Sequence, residues 1–191
     1  MSLPKDFLPV TVDYNLATIQ GGPFDRDVTA YITSLYGPRA PIQDPDTGIW
    51  MPPFHSGLDT SVWPVASGVY KIRSLFGGTV EQVDYVNDAN GYSVAVISED
   101  GQWYAEYFHL SDPPLVSKGQ LIPAGKHLGY EGTTGYSTGP HLHLGLAYQW
   151  TYVDPLPILA SARDVGEIVE ASNYFDVEGW YHDEYGNYSN P

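Results

Sequence analysis

Five stretches of the chain alternate or cluster β-branched and aromatic residues: SGVYKIR (67–73), GGTVEQVDYV (77–86), GYSVAVIS (91–98), QWYAEYFHL (102–110) and HLHLGLAY (141–148). Gly, Asn, Asp and Pro separate them, the pattern of short antiparallel strands joined by turns. SEDG before Gln102 is a hairpin signal, because Gly101 accepts the positive φ that such a turn demands. In HLHLGLAY, Leu142, Leu144 and Leu146 occupy every second position. A strand with that pattern buries its leucines on one face and presents His141 and His143 together on the other.

The pattern predicts a mainly β chain with one compact unit over residues 29–158. Residues 1–28 read as an extended lead-in with little periodicity, and 159–191 as an acidic extension in which SARDVGEIVEASNYF (161–175) is expected to be a short helix. A length of 191 residues suits one well-packed domain with extensions.

Composition narrows the chemistry. Sixteen Tyr, 20 Gly and 16 Pro against only 16% charged residues favour strands and loops over helices. A net charge of −15 argues against a nucleic-acid partner, since phosphate contacts need Lys and Arg. The absence of cysteine removes every disulfide and thiolate scheme. No stretch approaches the ~20 apolar residues of a membrane-spanning helix. MSLPKDFLPVTVDYN carries no secretory h-region. Such a chain is compatible with an exported bacterial or phage protein, either after removal of a leader or by another route out of the cell. A monomer is the working expectation.

Histidine is scarce, six in the chain, and its placement carries the functional signal. An isolated HxH is more often two solvated or hydrogen-bonded imidazoles than a metal site. The preceding GTTGYSTGP, a loop of small and turn-forming residues, lets a ligand approach the backbone closely. HSGLD supplies His55 and Asp59. Pro52, Pro53 and Gly57 favour a turn or short strand there over a helix, so both side chains can converge on one point. One imidazole and one carboxylate from HSGLD, with one imidazole from the HxH strand, make a three-ligand set suited to catalytic zinc, which keeps a fourth position open. YFHL places His109 at the end of an aromatic strand.

HxxxD, Y-x-H-L and S-T-G-P-H-L-H, in this order, resemble the lysostaphin-type (LytM-like) zinc metalloendopeptidases of the bacterial cell wall. The resemblance spans roughly residues 30 to 157 and takes in SLYGPR, the DPDTG turn, VSKGQLIPAGKHLGYEGTTGYSTGPHLHLGL and VDP. It implies a single β domain of antiparallel sheets forming a groove with one zinc ion at its floor. It implies His55, Asp59 and His143 as metal ligands and His109 and His141 as the catalytic pair. The implied activity is hydrolysis of peptide bonds in peptidoglycan stem peptides or cross-bridges. Zinc would polarise the scissile carbonyl and lower the pKa of water, and the two histidines would move the proton and stabilise the oxyanion.

Other expectations follow from the same match. Arg39 should support the loop near the site, while His127 and His182 should be surface residues. TSVWPVASGVYKIRSLFGGTVEQV departs from the family pattern, so the connection from Trp63 to Phe76 should be reshaped or longer. Ile49 and Trp50 stand where several members place a tyrosine. Trp50, Trp63, Tyr136 and Tyr148 are candidates for lining the groove.

Overall fold

The computed structural model describes residues 14–40, 48, 50, 53–85 and 89–161, together with strand residues 167–169, 174–175, 181–182 and 188–189. The first half contains β1 (Thr29–Ser34), β2 (Gly37–Pro38), β3 (Phe54–His55), β4 (Gly57–Val62), β5 (Lys71–Arg73), β6 (Gly78–Asp84) and β7 (Tyr92–Ser98). Next come β8 (Trp103–Leu110), β9 (Leu121–Ile122), β10 (His127–Tyr130), β11 (Leu142–Tyr148) and β12 (Thr151–Tyr152). Helix α1 (Pro155–Ser161) and β13 (Glu167–Val169) follow. In the tail, β14 (Tyr174–Phe175), β15 (Tyr181–His182) and β16 (Tyr188–Ser189) form a separate three-stranded sheet.

The main sheet runs β13-β1-β4-β11-β8-β7-β6-β9, with β12 paired to the end of β11. Every pairing in it is antiparallel except β1 with β13. All five expected strands form. The hairpin between β7 and β8 closes with Gly101 at φ 67°.

Alternation decides the two faces. Leu142, Leu144 and Leu146 of β11 are at most 1% exposed and join Leu58, Val94, Val96, Trp103 and Tyr107 in one core. Each buried leucine contributes about 2 kcal/mol. Tyr107 keeps its hydroxyl satisfied inside that core by accepting the Leu75 amide at 2.9 Å. The opposite face carries the odd-numbered residues Gly57, Asp59 and Ser61 of β4, and His143 and Gly145 of β11.

Two expectations need correction. The helix lies earlier than 161–175, at Pro155–Ser161, and Glu167–Val169 is a strand on the edge of the main sheet. The signal was VDP: Asp154 accepts the Leu156 amide at 3.0 Å as a cap, and Pro155 brings a preset φ to the first turn. The segment from Trp63 to Phe76 contains the expected strand β5 and the fully buried Leu75 and Phe76. Tyr148, expected to line the groove, packs against the core instead, with its ring centroid 4.8 Å from Trp103 and 5.3 Å from Tyr14.

The described part of the lead-in, from residue 14 onward, also packs. Asn15 accepts the Trp103 indole N–H at 2.9 Å, and Ile19 and Phe24 are buried.

Candidate metal centre

β4 and β11 pair antiparallel with Asp59 opposite His143 and Gly57 opposite Gly145. That register sets the two side chains against each other on the open face. His55 reaches the same point from β3, whose partner β2 places Gly37 opposite it. The donor atoms form a triangle: His55 Nε2 to Asp59 Oδ1 3.1 Å, His55 Nε2 to His143 Nδ1 3.0 Å, and His143 Nδ1 to Asp59 Oδ1 2.8 Å. All three residues are buried, and they form a group able to hold a metal ion.

Hydrogen bonding outside the triangle orients the donors. His55 Nδ1 lies 2.8 Å from the Leu35 carbonyl, which can only accept, so Nδ1 carries the proton and Nε2 presents its lone pair inward. Arg39 supports this segment as expected. Its amide donates to Pro53 O at 2.9 Å, and its guanidinium reaches Ser34 Oγ at 3.5 Å, which is 3.3 Å from His55 Nδ1. Burial alone would raise the Asp59 pKa. His141, with the hydrogen bonds to His143 and His55, outweighs it and holds the carboxyl well below the usual range. Two imidazole nitrogens and an ionised carboxylate, converging in a buried pocket, fit a divalent transition metal.

His109 arrives by a less obvious route. On β8, Trp103, Ala105 and Tyr107 face the core, and simple alternation would send His109 after them. Instead the β7–β8 register slips: Val94 pairs with Tyr107 but Tyr92 pairs with Leu110. This bulge, with His109 at φ 62°, turns both Phe108 and His109 to the open face and returns Leu110 to the core. A left-handed non-glycine residue costs about 1 kcal/mol or more. Here its amide donates to Asn90 O at 2.9 Å and Nδ1 donates to Thr134 O at 2.8 Å, which hold it in place.

His141 sits 4.7 Å from His109 between ring centroids, with Nε2 3.8 Å from Asp59 Oδ1. Its Nδ1 donates to Gly139 O at 2.8 Å. In both rings Nδ1 is committed to a carbonyl, so Nε2 is the nitrogen free to take or give a proton. Burial, then His141, lowers the His109 pKa to about 3, so this ring is neutral throughout the ordinary pH range. Phe108 stacks on His143 at 5.1 Å and 13°.

Residues 53–155, more than half the chain, match the family model for Peptidase family M23.

The chain belongs to peptidase family M23.

This M23 chain is 31% identical over 122 residues to lysostaphin of Staphylococcus simulans, covering 60% of the chain and 24% of that protein. It is 35% identical over 125 residues to peptidoglycan DD-endopeptidase ShyB of Vibrio cholerae, covering 65% and 27%. The chain thus spans about a quarter of the length of these curated relatives. Among solved structures, the catalytic domain of the antimicrobial peptidase lysostaphin from S. simulans superposes with a TM-score of 0.56 at 29% identity, covering 68% of this chain and 92% of that one. A zinc-containing peptidase from V. cholerae gives 0.57 at 29% identity, covering 72% and 39%. These neighbours share the mainly β fold.

Several residues that pack around this cluster were not singled out for that role from the sequence. Gly57 is the clearest: a Cβ there would stand 2.6 Å from Leu144 O and 2.7 Å from the His143 ring. Its signal was its place two residues before Asp59, on the same strand face. Phe108, Thr134 and Leu35 gave no local signal, since their roles rest on contacts between distant segments. The remaining expectations divide. Trp50 and Trp63 are 61% and 71% exposed and free to meet a ligand. Tyr136 is partly buried, its amide donating to Ala89 O. His127 is partly buried on β10, donating from Nε2 to Gly129 O at 2.8 Å. The expectation at Ile49 lies outside the described residues, and of His182 only the backbone is described.

Behind the site lies Glu131, 1% exposed. Its Oε1 accepts the Val62 amide at 3.3 Å, and its Oε2 has no partner among the described residues. Burial, opposed by the Val62 amide and Ser61, raises its pKa from 4.5 to about 8. The folded chain therefore keeps a proton that the unfolded chain releases above about pH 4.5, and this contribution to stability falls away as pH rises towards 8. Glu131→Gln removes that dependence. The stability of E131Q relative to the parent should rise by on the order of 4 kcal/mol between pH 4.5 and pH 8, measured by urea denaturation at both. A difference that does not change with pH would contradict the protonated carboxyl.

Proposed function

We propose that this chain is a zinc-dependent endopeptidase that hydrolyses peptide bonds in peptidoglycan stem peptides or cross-bridges, acting outside the cell or in the wall. The observation that carries the proposal is the buried donor triangle with two further histidine rings on the same face. In this reading residues 29–158 form the peptidase domain, with 1–28 leading into it and 159–191 extending from it.

His55 through Nε2, Asp59 through Oδ1 and His143 through Nδ1 would hold the zinc. When bound, zinc supplies Lewis acidity, polarising a carbonyl and lowering the pKa of water. Leu35 O fixes the tautomer of His55 for this task. His109 and His141 present their Nε2 atoms to the reacting centre. Between them the two rings take a proton from water and pass that same proton to the leaving amine, and the ring that carries it stabilises the developing oxyanion. Thr134 O and Gly139 O hold these rings in orientation, so little reorganisation accompanies the proton transfer.

The test is digestion of isolated peptidoglycan. The chain should release new amino termini, lose that activity after dialysis against a chelator and regain it with added zinc. Mass spectrometry of the muropeptides then identifies the bond. Release that persists undiminished in the metal-free protein would refute a metallopeptidase.

A further inference from the structure

The open face carries one more ionisable group in register with the donor triangle. Glu106 of β8 pairs with Gly145 of β11, just as Phe108 two residues along pairs with His143. At about 3.3 Å per residue, Glu106 lies about 7 Å along the strand from the level of His143. That is within reach of one or two residues of extended peptide crossing the site.

The floor is cleared for it. Gly57 and Gly145 face each other across the β4–β11 pair. The His143 ring leans over Gly57, and the Glu106 side chain leans over Gly145, where a Cβ would stand 2.8 Å from Oε2 and 3.5 Å from the Tyr152 ring. The Glu106 carboxylate accepts the Tyr152 hydroxyl at 2.6 Å and the Tyr104 hydroxyl at 3.3 Å. Trp150, 67% exposed, packs against Tyr104 with centroids 5.5 Å apart.

None of the ion pairs among the described residues involves Glu106. The phenols satisfy its lone pairs without cancelling its charge. Burial raises the pKa of both Tyr104 and Tyr152, and Glu106 raises them further, so both stay neutral donors. The other charged groups acting on Tyr104, Glu81 and Asp84, are also negative. A carboxylate flanked by two phenol rings, with no cation paired to it among the described residues, is complementary to an ammonium group through Coulomb attraction and the ring faces.

We propose that Glu106, with Tyr104 and Tyr152, forms a subsite on the groove floor that takes a primary ammonium group of the peptide substrate next to the scissile bond. The ammonium belongs either to the side chain of a diamino acid or to a free amino terminus. This subsite deepens the peptidase reading above and rests on it.

The test uses three synthetic stem peptides: one with both amines free, one acetylated on the side-chain amine and one acetylated at the amino terminus. For the zinc-loaded parent, kcat/KM should fall about tenfold or more when the recognised amine is acetylated, and the peptide that suffers names the source. In Glu106→Gln that preference should shrink about tenfold. A parent indifferent to acetylation, or an E106Q variant slowed equally on all three peptides, overturns the subsite. If the parent cleaves none of them, the peptidase reading is judged by the wall digestion above. The subsite is then judged by NMR titration of zinc-free protein with the free-amine peptide. Shifts around Gly145 and Tyr152 that vanish in E106Q support it, and their absence overturns it.

Discussion

His143→Ala should lose both bound zinc and activity, whereas His141→Ala should keep its zinc and still lose activity by about a thousandfold. The two residues are separated by one leucine, yet their atoms have different surroundings. His143 Nδ1 closes the donor triangle at 2.8 Å from Asp59 and 3.0 Å from His55. Removing it leaves an imidazole and a carboxylate, too few donors for tight binding of a catalytic zinc. His141 Nε2 stands 3.8 Å from Asp59 Oδ1, beside the triangle but not part of it. Its removal deletes a proton carrier, and such groups contribute about 10²–10⁴ in rate. Metal content by mass spectrometry after exhaustive dialysis, with hydrolysis rates on isolated walls, separates the two. Equal zinc loss in both variants would sink the assignment.

Gly57→Ala should be the most damaging substitution that touches no ionisable group. The new Cβ would lie 2.6 Å from the Leu144 carbonyl and 2.7 Å from the His143 ring, distances that real side chains do not tolerate. Neither neighbour can yield freely. Leu144 O belongs to a central strand pairing, and the His143 ring is fixed by its donor geometry and by stacking on Phe108. Overpacking of this kind costs about 1–3 kcal/mol. Misplacing a ligand should also weaken zinc binding by about 10–100-fold, the range seen when a ligand's supporting contacts are removed. Chemical denaturation and zinc competition against a chromophoric chelator measure the two effects. A variant with the parent's midpoint and zinc affinity would show that the β4–β11 spacing can relax.

These expectations rest on features of unequal visibility in the sequence. The alternation HLHLGL placed three leucines in the core and two histidines on the other face, and the fold has them there. Residue spacing in HSGLD kept open the convergence of His55 and Asp59. It did not reveal that GLDTSV is a central strand, because β4 holds few apolar residues and derives its place from partners on both sides. The expected helix at 161–175 was misplaced for a similar reason. Glu167–Val169 pairs with β1, and local propensity carries no trace of that partner.

What the sequence determined by itself was the chemistry available and the side of each regular strand on which it lies. Both follow from residue type and a period of two, which are local properties. The tertiary structure decided how the five residues meet. His109 reaches the open face only because β8 carries one residue more than β7 between Tyr107 and Leu110, and a bulge exists only between two strands. The tautomers are likewise set by carbonyls of Leu35, Thr134 and Gly139, two of them more than 19 residues away in sequence. Glu131 and Glu106 belong to the same class. Burial makes one carboxyl retain its proton, a cross-strand glycine makes room for the other, and neither circumstance is written in the residues beside them.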